Sequence, residues 1–154
     1  MQVRAWYGLP ADIEVENELW HLVRVAGVSL PHPPLVNLVL RRGLPRADRL
    51  RLSYLHEFGH FQTLPLALAH GLWLLWTSRK TRRSLPGWLA WLAGAVVANE
   101  AVWELLSEGY VVARDPAGYR QVYRRTRGPV VPAFWTVMGA LGIGVSRALT
   151  RRRR

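Results

Sequence analysis

Three apolar runs punctuated by arginine clusters restrict what this chain can fold into. Leu66 to Trp76, Leu85 to Trp103 and Pro129 to Leu149 each hold at most one charged residue, and Arg79 to Arg83 and Arg151 to Arg154 close the first and the third. The second run is nineteen residues long, with Trp88, Trp91 and Trp103 near its ends, where interfacial aromatics collect. The first is shorter. Phe61 to Trp76 would measure about 24 Å as a helix, so it spans only where the bilayer thins or the helix starts earlier. Three such runs in 154 residues point to an integral membrane protein rather than a soluble helical bundle, built as a single domain.

The charge fits that reading. A formal net charge of +11 arises from twenty Arg and one Lys against ten acids, and the basic clusters flank the apolar runs. Their partner is then a lipid surface, and no nucleic-acid module appears in the spacing. The chain has no cysteine, so any metal must take histidine and carboxylate ligands.

Met1 to Gly8 shows no charged stretch leading into an apolar core, so no cleavable signal is visible. Asp12, Glu14, Glu16 and Glu18 alternate with Ile13, Val15 and Asn17, which suggests a strand or a short amphipathic element. Three prolines between Ser29 and Pro34 make that stretch a loop. Leu35 to Leu40 then reads as a short strand, an edge on which an extended peptide could pair. From Pro45 the pattern turns helical, with Leu50, Leu52, Leu55, Phe58 and Phe61 marking an apolar side and Pro65 expected to kink or restart the helix. Gly109 to Arg127 is amphipathic and basic.

The expected fold class is therefore mainly α: an integral membrane helical protein with about three membrane helices and a small N-terminal α/β-like region of one or two short strands. Its parts are a soluble region over 1–47, a helix and first membrane segment over 48–77, a second membrane helix over 85–108 and a third over 129–149.

Within the first long helix lies His56-Glu57-Phe58-Gly59-His60, an HExxH. Residues four apart share a helical face, so both imidazoles can reach one cation while Glu57 points to the space beside it. The remaining glutamates are placed with the same economy. After Glu18 the only others are Glu100, Glu104 and Glu108, four apart on one helical stripe and in or against an apolar segment. A carboxylate there is costly without a cation partner, and a third metal ligand accounts for the cost. If the first two membrane helices pair about a turn near Thr81, residue 58 faces residue 104, which sets Glu104 at the depth of the metal. Glu100 and Glu108 lie one turn, about 6 Å, to either side.

This combination resembles the gluzincin zinc metallopeptidases, and most of all membrane members of the HtpX and CAAX-prenyl-protease type, whose HExxH is followed by ExxxD on a second helix. The resemblance implies zinc bound by His56, His60 and Glu104, with Glu57 as catalytic base and Glu108, in place of the usual Asp, supporting a histidine. An alternative register beginning at Asn99 resembles the NExxxD run of thermolysin-like enzymes and would make Glu100 the ligand. Trp103 is bulky where those enzymes carry a small residue, whereas Ser107 suits the Glu104 register.

The implied activity is hydrolysis of peptide bonds in a peptide or membrane-protein substrate at or near the bilayer surface. Zinc-activated water would act with Glu57 as base, and Tyr110, Tyr54 or His32 would donate to the oxyanion. The competing reading is a non-catalytic membrane scaffold with a structural metal or a salt-bridged polar site. His70 lies ten residues past His60, off the metal face, and reads as a hydrogen-bonded packing residue; His21 reads as peripheral. The expected location is a prokaryotic cytoplasmic membrane. The positive-inside rule turns the site outward, while Arg41 to Arg51, Arg114 to Arg127 and the lack of a signal turn it inward, so its side stays open.

Overall fold

The computed structural model describes residues 2–15, 21–25, 28–32, 44–78, 84–125 and 130–150. Four strands, β1 (Gln2–Arg4), β2 (Pro10–Val15), β3 (His21–Val25) and β4 (Val28–His32), form an antiparallel sheet in sequence order. Four helices follow, α1 (Arg46–Ser78), α2 (Leu85–Arg114), α3 (Pro116–Arg125) and α4 (Val130–Thr150). The chain is mainly helical, as expected, but the N-terminal sheet has four strands rather than one or two.

The acidic alternation around Asp12 forms a strand as far as Val15, with Ala11 and Ile13 buried and Asp12 half-buried between them, while Glu16 and Glu18 lie outside the described residues. The expectation of a loop from Ser29 to Pro34 fails in its first half, because Pro31 sits inside β4 opposite Leu22. β4 is at the edge of the sheet as described. An edge strand needs only one of its two backbone rows paired, which is where proline is tolerated. The proposed strand over Leu35 to Leu40 lies outside the described residues.

Contacts gather the chain into two compact units, Met1–Gln62 with Leu106–Pro132, and Thr63–Leu105 with Ala133–Arg154. In the first unit the β1–β2 turn is closed by Ala5 N–H to Leu9 O at 3.0 Å and Gly8 N–H to Ala5 O at 2.9 Å. Gly8 has φ of 90°, a conformation that costs a residue with a Cβ far more. Ala5 and Ala11 pack on Phe61, with Val3, Tyr7, Leu9 and Phe58 around them.

That docking answers a problem set by Pro65, which does not break α1: the helix runs on as one element from Arg46 to Ser78. Without an N–H, Pro65 leaves the carbonyl of Phe61, four residues back, without its helical donor. The Tyr7 hydroxyl donates to that oxygen at 2.7 Å, and the Trp6 indole donates to the next one, Gln62 O, at 2.9 Å. The Gln62 side chain completes the clasp, accepting from Trp6 N–H at 3.1 Å and donating to Arg4 O at 3.3 Å. Burial pushes the Tyr7 phenol above its ordinary pKa, which keeps it a donor.

A second cluster in this unit joins Leu44, Leu52 and Val111, with Leu55 and Tyr119 against it. Asp115 separates α2 from α3 and caps the latter, accepting from Gly118 N–H at 2.9 Å ahead of Pro116 in the first turn. Arg51 of α1 pairs with the same carboxylate. A Cβ on Gly118 would strike both partners.

In the second unit α2 and α4 meet through small residues. A Cβ on Gly94 would lie 2.9 Å from Gly142 O, and one on Gly142 would lie 2.7 Å from Gly94 O and 2.8 Å from Ala98 N. The Ser146 hydroxyl donates to Trp91 O at 3.3 Å across the same crossing. Close backbone approach at small residues is how helices associate where lipid removes the hydrophobic drive.

Two of the described helices, α2 over Leu85–Arg114 and α4 over Val130–Ala148, are long and apolar enough to cross a membrane. The expected first membrane segment in α1 does not join them. Its apolar run is hemmed in by Gln62 and Thr63 before and Thr77 and Ser78 after, and His70 interrupts it.

Candidate metal centre

Helix periodicity brings His56, Glu57 and His60 to one region of α1, and a single contact sets how near α2 comes. A Cβ on Gly59 would lie 2.9 Å from Ser107 O, 3.0 Å from Ser107 Cα and 3.1 Å from Tyr110 Cβ. No larger residue fits at Gly59 without moving backbone, so the fourth position of the HExxH is fixed by packing. Ser107 is wholly buried at this seam.

The seam corrects the register expected from the hairpin. Residue 59 should have faced residue 103, and it faces 107, one helical turn further on. The cause is an asymmetric hairpin: Gly71 packs against Asn99, which is seven residues before α1 ends and fourteen after α2 begins. The start of α2 thus extends beyond the end of α1, which a symmetric turn about Thr81 does not allow for.

Nε2 of His56 and Nε2 of His60 converge to 3.0 Å, with the two rings edge to face at a centroid distance of 4.6 Å. On the far side of His56, Nδ1 faces Glu108 Oε1 at 3.0 Å. A carboxylate that close to Nδ1 favours a proton there, which leaves the lone pair on Nε2, the tautomer that binds a metal. His56, His60 and Glu104 each offer a donor atom, and these three atoms lie within 4.8 Å of one another. The group could hold a metal ion.

Burial makes the electrostatics decisive. Glu57, Glu104 and Glu108 are each 2% exposed and His56 is 1% exposed. Two of these carboxylates, Glu104 and Glu108, lie beside the imidazoles with little solvent to disperse their charge, and a bound cation would offset it.

The other expected site residues fall as follows. Glu100 is half-buried and lies one turn before Glu104, outside the donor group. Tyr110 packs edge to face on Phe58 at 5.5 Å, with the Arg114 guanidinium 5.3 Å from its ring centre. Burial first, and the neighbouring Tyr110 second, raise the Tyr54 phenol above its usual value. For His32 the backbone alone is described, opposite His21 in the β3–β4 pair. His70 bonds Asn99 through Nδ1 at 3.0 Å and stacks on Trp73, as its angular position implied.

Sequence reasoning missed the clasp of Trp6 and Tyr7 on α1. Its signal was present in Pro65, whose freed carbonyl has to find a donor, although nothing local says which residue supplies it. Comparison with known proteins finds no matching family model, no matching curated protein and no matching solved structure.

Proposed function

We propose that this chain is a zinc-dependent membrane metallopeptidase of gluzincin type, resembling the HtpX and CAAX-prenyl-protease enzymes and hydrolysing peptide bonds at or near the bilayer surface. One observation carries the reading: two converging imidazoles and a buried glutamate within 4.8 Å, with a further glutamate 3.0 Å behind the first imidazole. In this reading His56, His60 and Glu104 hold the ion, and Glu108 orients His56.

A zinc ion bound there would supply an acidified water and polarise a carbonyl. Glu57, next to His56 and equally enclosed, would act as the base, holding a proton on its carboxylate and passing it to the leaving amine. Tyr110 is the proposed donor to the carbonyl oxygen as it gains charge, with Tyr54 held protonated beside it. The membrane setting is supported by the length and apolarity of α2 and α4 and by the exposed leucines and tryptophans of the second unit.

The test is metal analysis and peptide hydrolysis on the full chain purified without chelator. One zinc per chain is expected. Glu57→Gln keeps that zinc and lowers hydrolysis by about 10² to 10⁴-fold, whereas Glu104→Ala loses the metal. Zinc-loaded protein that cuts no peptide, with Glu57→Gln behaving as the parent does, would establish the scaffold with a structural metal instead.

A further inference from the structure

The short helix α3 carries arginine and no acid, and Asp115, just before it, is the last acid in the sequence. One side of the helix is already in use. Gly118 is buried, and Tyr119 packs on the cluster of Leu44, Leu52 and Val111. Arg120, Gln121 and Arg124 are exposed, and a spacing of four sets the two arginines on one helical face. Among the described residues neither guanidinium has a carboxylate partner, because Asp115 is held by Arg51 and accepts from Gly118 N–H.

The place of this face in the chain decides what it meets. Asp115 alone separates α3 from α2, and residues 126–129 separate it from α4. From Arg125 to Val130 the backbone reaches at most about 18 Å. α2 and α4 are the described helices long and apolar enough to cross a membrane, and Val130 is the first residue of the span in α4. Both ends of α3 are therefore tied by short stretches of chain to candidate spans. A guanidinium held there without a carboxylate matches the phosphate of a lipid headgroup, which it can bind through two parallel hydrogen bonds. A zwitterionic headgroup brings an ammonium with each phosphate, so net attraction requires anionic lipid.

We propose that the exposed face of α3 is a docking surface for anionic phospholipid headgroups, engaged by Arg120 and Arg124, and that it draws this part of the chain to the leaflet richer in such lipids. The inference rests on the membrane setting put forward above and not on the chemistry of the metal centre.

The chain has no cysteine, so Gln121→Cys and, separately, Val96→Cys each give one attachment point for a fluorophore in the full-length protein. Gln121 is exposed beside Arg120, and Val96 is exposed on α2. Each labelled chain is reconstituted in vesicles of phosphatidylcholine and phosphatidylglycerol, with a nitroxide high on the acyl chain of one lipid or the other, and quenching reads the local preference between them. At position 121 phosphatidylglycerol should be preferred by about five- to twenty-five-fold, a factor of about five for each arginine near an anionic surface. At position 96 the two lipids should quench alike. Adding Arg120→Gln and Arg124→Gln should bring the preference at 121 close to parity. Equal quenching by both lipids at 121 overturns the proposal, and that comparison needs neither arginine variant to fold. A preference that survives both substitutions overturns it as well. Quenching at 96 with none at 121 also overturns it, leaving the membrane setting intact and α3 open to a soluble acidic partner. With no quenching at either position the membrane setting itself fails, and the docking surface with it.

Discussion

The two units of this chain solve the burial problem in opposite directions. In the first, Ile13, Leu52, Phe61 and Val111 lie inside, as in a water-soluble domain, and the exception is a buried knot of His56, Glu57, His60, Ser107 and Glu108. In the second, the inside is largely Ala67, Trp91, Ala95, Ala98 and Ala101, and the large aliphatics point out. Of the exposed large apolar side chains among the described residues, six on α1, four on α2 and three on α4 belong to the second unit, against Trp6, Val112 and Val130 in the first. A soluble protein rarely exposes so continuous an apolar surface. The contrast teaches that the second unit carries the apolar exterior that the proposed membrane setting would cover, and that the polar knot lies in the unit whose surface is the more ordinary one for water.

The sharpest way to break that comparison is to place the same charge on each exterior. Val96→Arg, on the exposed face of α2 in the second unit, should cost about 2.5 to 3.5 kcal/mol if hydrocarbon surrounds it. Val112→Arg, on the first, should stay within about 0.5 kcal/mol, as surface substitutions in water do. Membrane insertion assays on both variants read the difference. Equal, small effects would mean that water bathes both units and that the apolar exterior has another cover.

A smaller effect tests the polar knot. Glu108→Ala removes the carboxylate 3.0 Å from His56 Nδ1, freeing the ring to turn and to change tautomer. Zinc affinity should fall by about 10- to 100-fold, measured by competition with a chromophoric chelator. Glu100→Ala, one turn outside the donor group, should leave affinity unchanged. If Glu100→Ala instead loses the metal while Glu104→Ala keeps it, the alternative register holds and the donor set is misassigned.

What could be read from the sequence follows the range of the interactions. The convergence of His56 and His60 rests on a four-residue spacing that any helix enforces, whereas the same spacing leaves Glu100, Glu104 and Glu108 equivalent; Glu104 was singled out by a symmetric hairpin register that the contact at Gly59 shifts by one turn. The strand around Asp12 was legible from its alternation. The hairpin offset was not, because where α1 and α2 approach depends on Gly59 admitting the backbone of Ser107, on Gly71 lying against the Asn99 side chain, and on how far α2 extends past α1. Pro31 in β4 was misread because proline's effect depends on whether the strand is an edge, a property of the sheet and not of the residue. The apolar half of α1 looked like a span from its leucines, yet the polar residues bounding it and His70 within it leave α2 and α4 as the helices that meet the length and apolarity of one.

The finest test concerns the clasp at Pro65, two residues from where one unit gives way to the other. Tyr7→Phe keeps the ring on Phe61, 6.0 Å between centroids, and removes only the hydrogen bond to Phe61 O. A helix carbonyl without its own donor, deprived of the substitute, loses about 1 kcal/mol. In a chain of this size that lowers Tm by roughly 2 to 4 °C. The same substitution should leave zinc stoichiometry at one, since His60 keeps its place in an intact turn of α1. Were Tyr7→Phe to release the metal, the clasp would be holding the site as well as the helix, and the polar knot would depend on the sheet more than its own helices imply. Were Tm unchanged, water would be serving the Phe61 carbonyl as well as the phenol does, and the turn would be held by the Trp6 and Gln62 bonds alone.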